Sequence, residues 1–62
     1  MISKEKIFSN FYAIISELES GTVDLESALG ISLVAKLDVY ATILDDEIDP
    51  AYWGILEKYG VG

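Results

Sequence analysis

The chain contains no cysteine and no histidine, and these two absences exclude a good deal of chemistry. Without cysteine no disulfide can staple the fold, and without either residue no Cys/His zinc site can form. Neither a Ser-His-Asp nor a Cys-His arrangement can be assembled, and the usual proton shuttle near neutral pH is missing. A paired-carboxylate hydrolase survives that test, but 62 residues leave little room for a substrate cleft beside a core. The expectation is a protein that is not an enzyme and that uses no metal or cofactor.

Cations are scarce as well. Four basic residues stand against eleven acidic ones, a net charge of −7. No Lys or Arg occurs from Ile7 to Ala35, nor from Leu37 to Glu57. A nucleic-acid binder carries a basic stripe, and there is nothing here to build one from. Unbroken apolar runs are also lacking. The longest apolar region, Ile31 to Leu44, is cut by Lys36 and Asp38 and makes no membrane span. Near the N-terminus, Ile7 to Tyr12 soon meets Ser16 and Glu17, without the apolar core and small-residue cleavage site of a signal peptide. These features predict a cytoplasmic protein with no membrane partner and no direct nucleic-acid partner.

What the chain does have is apolar substance, 52% of its residues. A disordered acidic tail would be poor in it, so the sequence predicts one folded domain over residues 1–62 with a negative skin. At this size about 60% of the unfolded surface is buried on folding. Ordering costs of about 1.5 kcal/mol per residue nearly cancel that gain. With disulfides and zinc excluded, self-association is the remaining common remedy.

Helical spacing recurs along the chain. Ser3 suits an N-cap and Gly21 a C′ position, and between them Ile7, Phe8, Phe11, Ile14, Ile15 and Leu18 share one broad face with Tyr12 at its edge. Thr22 or Asp24 suits the cap of a second helical region. There Leu25, Leu29, Leu33, Leu37, Tyr40 and Leu44 form a stripe, while Ile31, Val34 and Val39 form a patch on its back suited to self-association. Gly30 admits two readings: one long helix from about Leu25 to Leu44, or a turn at Gly30-Ile31-Ser32 with Ser32 capping a new helix. Glycine costs about 1 kcal/mol inside a helix, which favours the break. A third helix opens at Asp49-Pro50 as N-cap and N1, continues through Tyr52, Trp53, Ile55, Leu56 and Tyr59, and closes at Gly60. The fold class is all-α: a compact bundle of three to four short helices, with a dimer as an open alternative.

The segment Ala28-Leu29-Gly30-Ile31-Ser32 resembles the turn of a helix-turn-helix DNA-binding domain over about 20 residues, Val23 to Tyr40. Leu25, Leu29, Gly30, Ile31 and Ser32 fit that pattern. Glu26 stands where the family has a small buried residue, and Lys36 where it has a buried aliphatic. The resemblance implies a helix-turn-helix transcription regulator, whose recognition helix would here carry Asp38 and a single cation. Lys and Arg contacts to phosphate supply most DNA affinity, so a duplex would repel this helix.

Asp45-Asp46-Glu47-Ile48-Asp49 invites comparison with a calcium loop, but Pro50 stands where the obligatory glycine belongs and Leu56 where the bidentate Glu should be. A solvated connector rich in capping acids explains the run better. Its distribution carries the sharper expectation. Glu17, Glu19, Asp24 and Glu26 flank one inter-helix junction. Asp45, Asp46, Glu47 and Asp49 crowd another, with Asp38 two turns before Asp45. Uncompensated carboxylates of this kind steer a protein onto a basic partner and compete there for a nucleic-acid groove, as a DNA mimic does. Trp53 and Tyr12, at the margins of their stripes, are the aromatic residues best suited to an interface. The expectation is a small acidic protein-binding regulator or inhibitor. By size and charge alone it is comparable with small phage-encoded inhibitors, and a homo-oligomeric interaction module is the alternative.

Overall fold

The computed structural model describes residues 3–61. Three α-helices account for most of them: α1 (Lys4–Glu19), α2 (Ala28–Leu44) and α3 (Trp53–Lys58). Two short 3-10 turns, Asp45–Glu47 and Pro50–Tyr52, lie between α2 and α3.

α1, α2 and the Pro50–Tyr52 turn each start where a side chain can replace a missing backbone partner. Ser3 Oγ accepts from the Lys6 N–H at 3.2 Å, and Ser27 Oγ accepts from the Gly30 N–H at 3.1 Å. Asp49 Oδ1 accepts from the Ala51 N–H at 3.0 Å and starts the Pro50–Tyr52 turn that runs on into α3. At the far end of α3, the Val61 N–H reaches the Leu56 carbonyl and the Gly60 N–H reaches the Glu57 carbonyl. That pair of bonds is a Schellman closure, with Gly60 at φ +80° in the left-handed position. Val61 follows it into the core.

The central helix corrects the sequence reading. α2 runs unbroken through Gly30-Ile31-Ser32, and its cap is Ser27 rather than Thr22, Asp24 or Ser32. Asp24 instead caps a preceding turn, accepting from the Glu26 N–H at 2.9 Å. Gly30 is buried in the first turn of α2. A Cβ there would stand about 2.7 Å from Leu25 Cα and closer still to the Asp24 carbonyl oxygen. Glycine is required by close backbone approach, not by a turn. The turn that the helix-turn-helix resemblance needs at this point is therefore not formed.

α1 and α2 pack antiparallel, since Lys4 reaches Glu47 beyond the end of α2 and Asn10 reaches Tyr40 in its second half. α3 returns along them, with Trp53 beside Asp38 and Asp45, and Tyr59 beside Ile31 and Val34. Between the helices lie Phe11, Ile14, Ile15 and Leu18 from α1, Leu37, Ala41 and Leu44 from α2, and Ile48, Leu56 and Val61 from beyond. Among the described residues no polar or charged side chain is buried. The expected stripe on α2 is inside from Leu33 onward, but Leu25 and Leu29 are 46% and 58% exposed. Gly30 is held against the Asp24–Leu25 backbone, and Ala41 is buried among the core residues.

The caps give a first expected result. Ser27→Ala removes the acceptor for the Gly30 N–H and the hydroxyl that bonds the Asp24 carbonyl. It should destabilise the fold by about 1–2 kcal/mol in urea denaturation. A loss no larger than that of an exposed Ser16→Ala control would contradict the cap.

Candidate partner-binding surface

Three of the residues expected to meet a partner come together. Asp38, Asp45 and Trp53, joined by Ala41, Thr42 and Val61, line an open depression of about 310 Å³ between the second half of α2 and the start of α3. The geometry follows from the local fold. Asp38 and Asp45 are seven residues apart, about 10 Å along the helix axis. The 3-10 turn that begins at Pro50 then brings the chain back so that Trp53 closes the third side. The Thr42 hydroxyl donates to the Asp38 carbonyl at 3.0 Å. The α2 side of the depression thus brings together two acidic residues and a hydroxyl whose proton is already engaged. With an indole opposite, such a wall favours a cationic side chain, by charge pairing and by contact with the aromatic face.

Asp45 sits there in an unusual backbone state. It caps α2 at φ +35°, ψ −103°, a region that glycine enters freely and other residues enter at a cost of about 1–3 kcal/mol. Asp45→Gly should therefore raise stability by about 1 kcal/mol while removing one carboxylate from the depression. Denaturation curves showing a loss of stability would contradict this account of Asp45.

The other expected residues are placed differently. Asp46 and Asp49 are exposed, and Asp49 uses one oxygen as a cap. Glu47 is paired with Lys4 at 2.6 Å, which half neutralises that end of the acidic run. Tyr12 is 39% exposed but belongs to an aromatic group with Phe8, Phe11 and Tyr52, its ring centre 5.1 Å from that of Tyr52. It does not line the depression. Ile31 and Val39 lie outside, 60% and 56% exposed, whereas Val34 is half-buried against the core. No three acidic side chains among the described residues are arranged to hold a metal ion. Among the described residues no helix is long and apolar enough to cross a membrane.

A second acidic residue matters for a reason the sequence hid. Glu19, at the end of α1, accepts from Lys58 Nζ at 2.8 Å and from the Tyr59 hydroxyl at 2.9 Å, tying α1 to α3. The Lys58 hydrogen bond, then that of Tyr59, holds the Glu19 carboxyl below its ordinary value. Glu19 in turn raises Lys58. Desolvation, and then the bond to Glu19, raises Tyr59. The signs set a window. The Glu19 contribution is present above the ordinary glutamate value of about 4.3 and lost as pH falls through its lowered one. The Lys58 and Tyr59 contributions are present below about pH 10 and lost as pH rises through their raised values. Glu19→Gln should flatten both limbs of a stability–pH curve, and unchanged limbs would show that the cluster contributes nothing. Pairing across 39 and 40 residues leaves no short-range signature, so spacing alone did not reveal it.

Comparison with protein-family models, with curated proteins and with solved structures returns no match. The functional reading therefore rests on the residues themselves.

Proposed function

We propose that this chain is a non-enzymatic protein-binding regulator or inhibitor, which docks on a basic surface of a partner and blocks it, including one that would otherwise hold nucleic acid. The observation that carries this reading is the convergence of Asp38, Asp45 and Trp53 on one depression, with Asp46 exposed beside it. A basic side chain entering there meets carboxylates for its charge and an indole for its stem. Asp46 and the remaining carboxylates add long-range steering, which raises the association rate and weakens with salt.

Trp53 is the only tryptophan, so its fluorescence reports on the depression directly. Titration with an arginine-rich peptide should change Trp53 emission, and the apparent affinity should fall at least about tenfold between about 0.1 M and about 1 M NaCl, as the screening length shrinks from about 10 Å to about 3 Å. Asp38→Asn with Asp45→Asn should remove the response. Glu17→Gln with Glu26→Gln, equal in charge change but at the other junction, should leave it within about twofold. Equal losses from both pairs would reduce the binding to net charge and overturn the site.

A further inference from the structure

We infer that the outward side of α2 is a homodimer face, occupied by a second copy of this chain with the two α2 helices parallel. The inference does not rest on the partner reading above. α2 is apolar on both sides: Leu37, Ala41 and Leu44 face the core, while Leu29, Ile31, Val39 and Ile43 are 56–60% exposed on the other. A helix apolar all round is ordinarily covered all round. At 100° per residue the centre line of the exposed side runs through Ala28, Ser32, Ala35 and Val39, at steps of four, three and four. These residues are small or short, so two backbones can come close.

Charge selects the occupant. The exposed side of α2 carries one lysine, Lys36, and one aspartate, Asp38. Setting those two aside from four basic and eleven acidic residues leaves three and ten, so the net −7 lies elsewhere on the chain. Here a second acidic copy can approach without facing net like charge. Asp38 stands on the flank that borders the depression, so it serves either the second copy or a basic partner, not both at once.

Charge also selects the direction. Lys36 and Asp38 lie on opposite flanks of the centre line. A two-fold axis parallel to α2 swaps the flanks, bringing Lys36 of each copy beside Asp38 of the other with an offset of about 3 Å along the axis. Two ion pairs result. An antiparallel pair at full overlap turns about the middle of Ala28–Leu44, which is Lys36, and opposes the two lysines directly. The paired face is about 25 Å long and about 10 Å wide. That footprint, about 250 Å² per copy, is well below the roughly 800 Å² per partner of a standard interface, so the dimer is a weak one and should be half-formed at a concentration between about 1 μM and about 1 mM.

Sedimentation velocity of the chain alone tests this. Lys36→Asp and Asp38→Lys should each weaken the dimer about tenfold, because each turns two attractions into two repulsions. The double exchange, Lys36→Asp with Asp38→Lys, should restore it to within about threefold of the parent. Val39→Glu should leave a monomer with unchanged helical circular dichroism, since Val39 is exposed. A monomer at about 1 mM, a dimer indifferent to the single exchanges, failure of the double exchange to restore, or a dimer that survives Val39→Glu would each overturn the inference.

Discussion

Phe11→Ala is expected to leave most of the chain unfolded at room temperature. Phe11 is fully buried, and its ring meets those of Tyr12 and Tyr52 edge-on at 5.5 and 6.3 Å. Truncating a core phenylalanine typically costs about 3–5 kcal/mol through lost transfer energy and the cavity left behind. A domain of this size, without disulfide or metal, holds only about 3–5 kcal/mol in all. The loss therefore matches the whole stability. Far-UV circular dichroism should show loss of helix without denaturant, while Leu29→Ala, on the exposed side of α2, should shift the urea midpoint by no more than about 0.5 kcal/mol equivalent. A Phe11→Ala chain that unfolds cooperatively near the parent midpoint would mean the core lies elsewhere.

Gly30→Ala should have the opposite sign from the one helix propensity gives. In an exposed helix interior, alanine for glycine adds about 1 kcal/mol. Here the new methyl must enter space held by backbone, the Asp24 carbonyl oxygen and Leu25 Cα, and neither is the end of a flexible side chain. The Asp24 carbonyl is also fixed by bonds from Ser27, the cap of α2. Accommodation requires the Asp24–Ser27 turn to move and the cap to weaken, for a net loss of about 1–3 kcal/mol. Gly54 offers the control. Nothing lies near a Cβ at that position, so Gly54→Ala should stabilise α3 by up to about 1 kcal/mol. If both substitutions stabilise equally, the close approach at Gly30 is absent.

These two positions show what the sequence carried and what it did not. Ser3, Gly21, Asp49-Pro50 and Gly60 announce their roles because caps and left-handed closures depend on one or two neighbouring residues. The face of α1 was equally readable, since Phe11, Ile14, Ile15 and Leu18 repeat at helical spacing. Gly30 misleads because glycine is required both where a chain turns and where two segments touch. Only the position of Asp24 and Leu25 separates the cases. Ile48 and Val61 enter the core from outside the three helices, where no periodicity marks them.

The candidate surface divides in the same way. Asp38 and Asp45 were legible as neighbours because one helix fixes their separation. That Trp53 joins them depends on how the chain folds back after Asp49. Glu47 and Glu19 looked like members of two free acidic clusters, and lysines far along the chain, Lys4 and Lys58, claim them. Val34 looked equivalent to Ile31 and Val39, yet its place between the core and the Ile31–Tyr59 hollow leaves it half-buried.

Amide and indole chemical-shift mapping with the arginine-rich peptide tests the central claim most directly, because it reads every position at once. The account predicts shifts concentrated at Asp38, Ala41, Thr42, Asp45 and Trp53, including the indole N–H, with Glu17, Asp24 and Glu26 nearly unmoved. Shifts spread evenly over all the carboxylates, or centred on the Glu17–Glu26 junction, would contradict it.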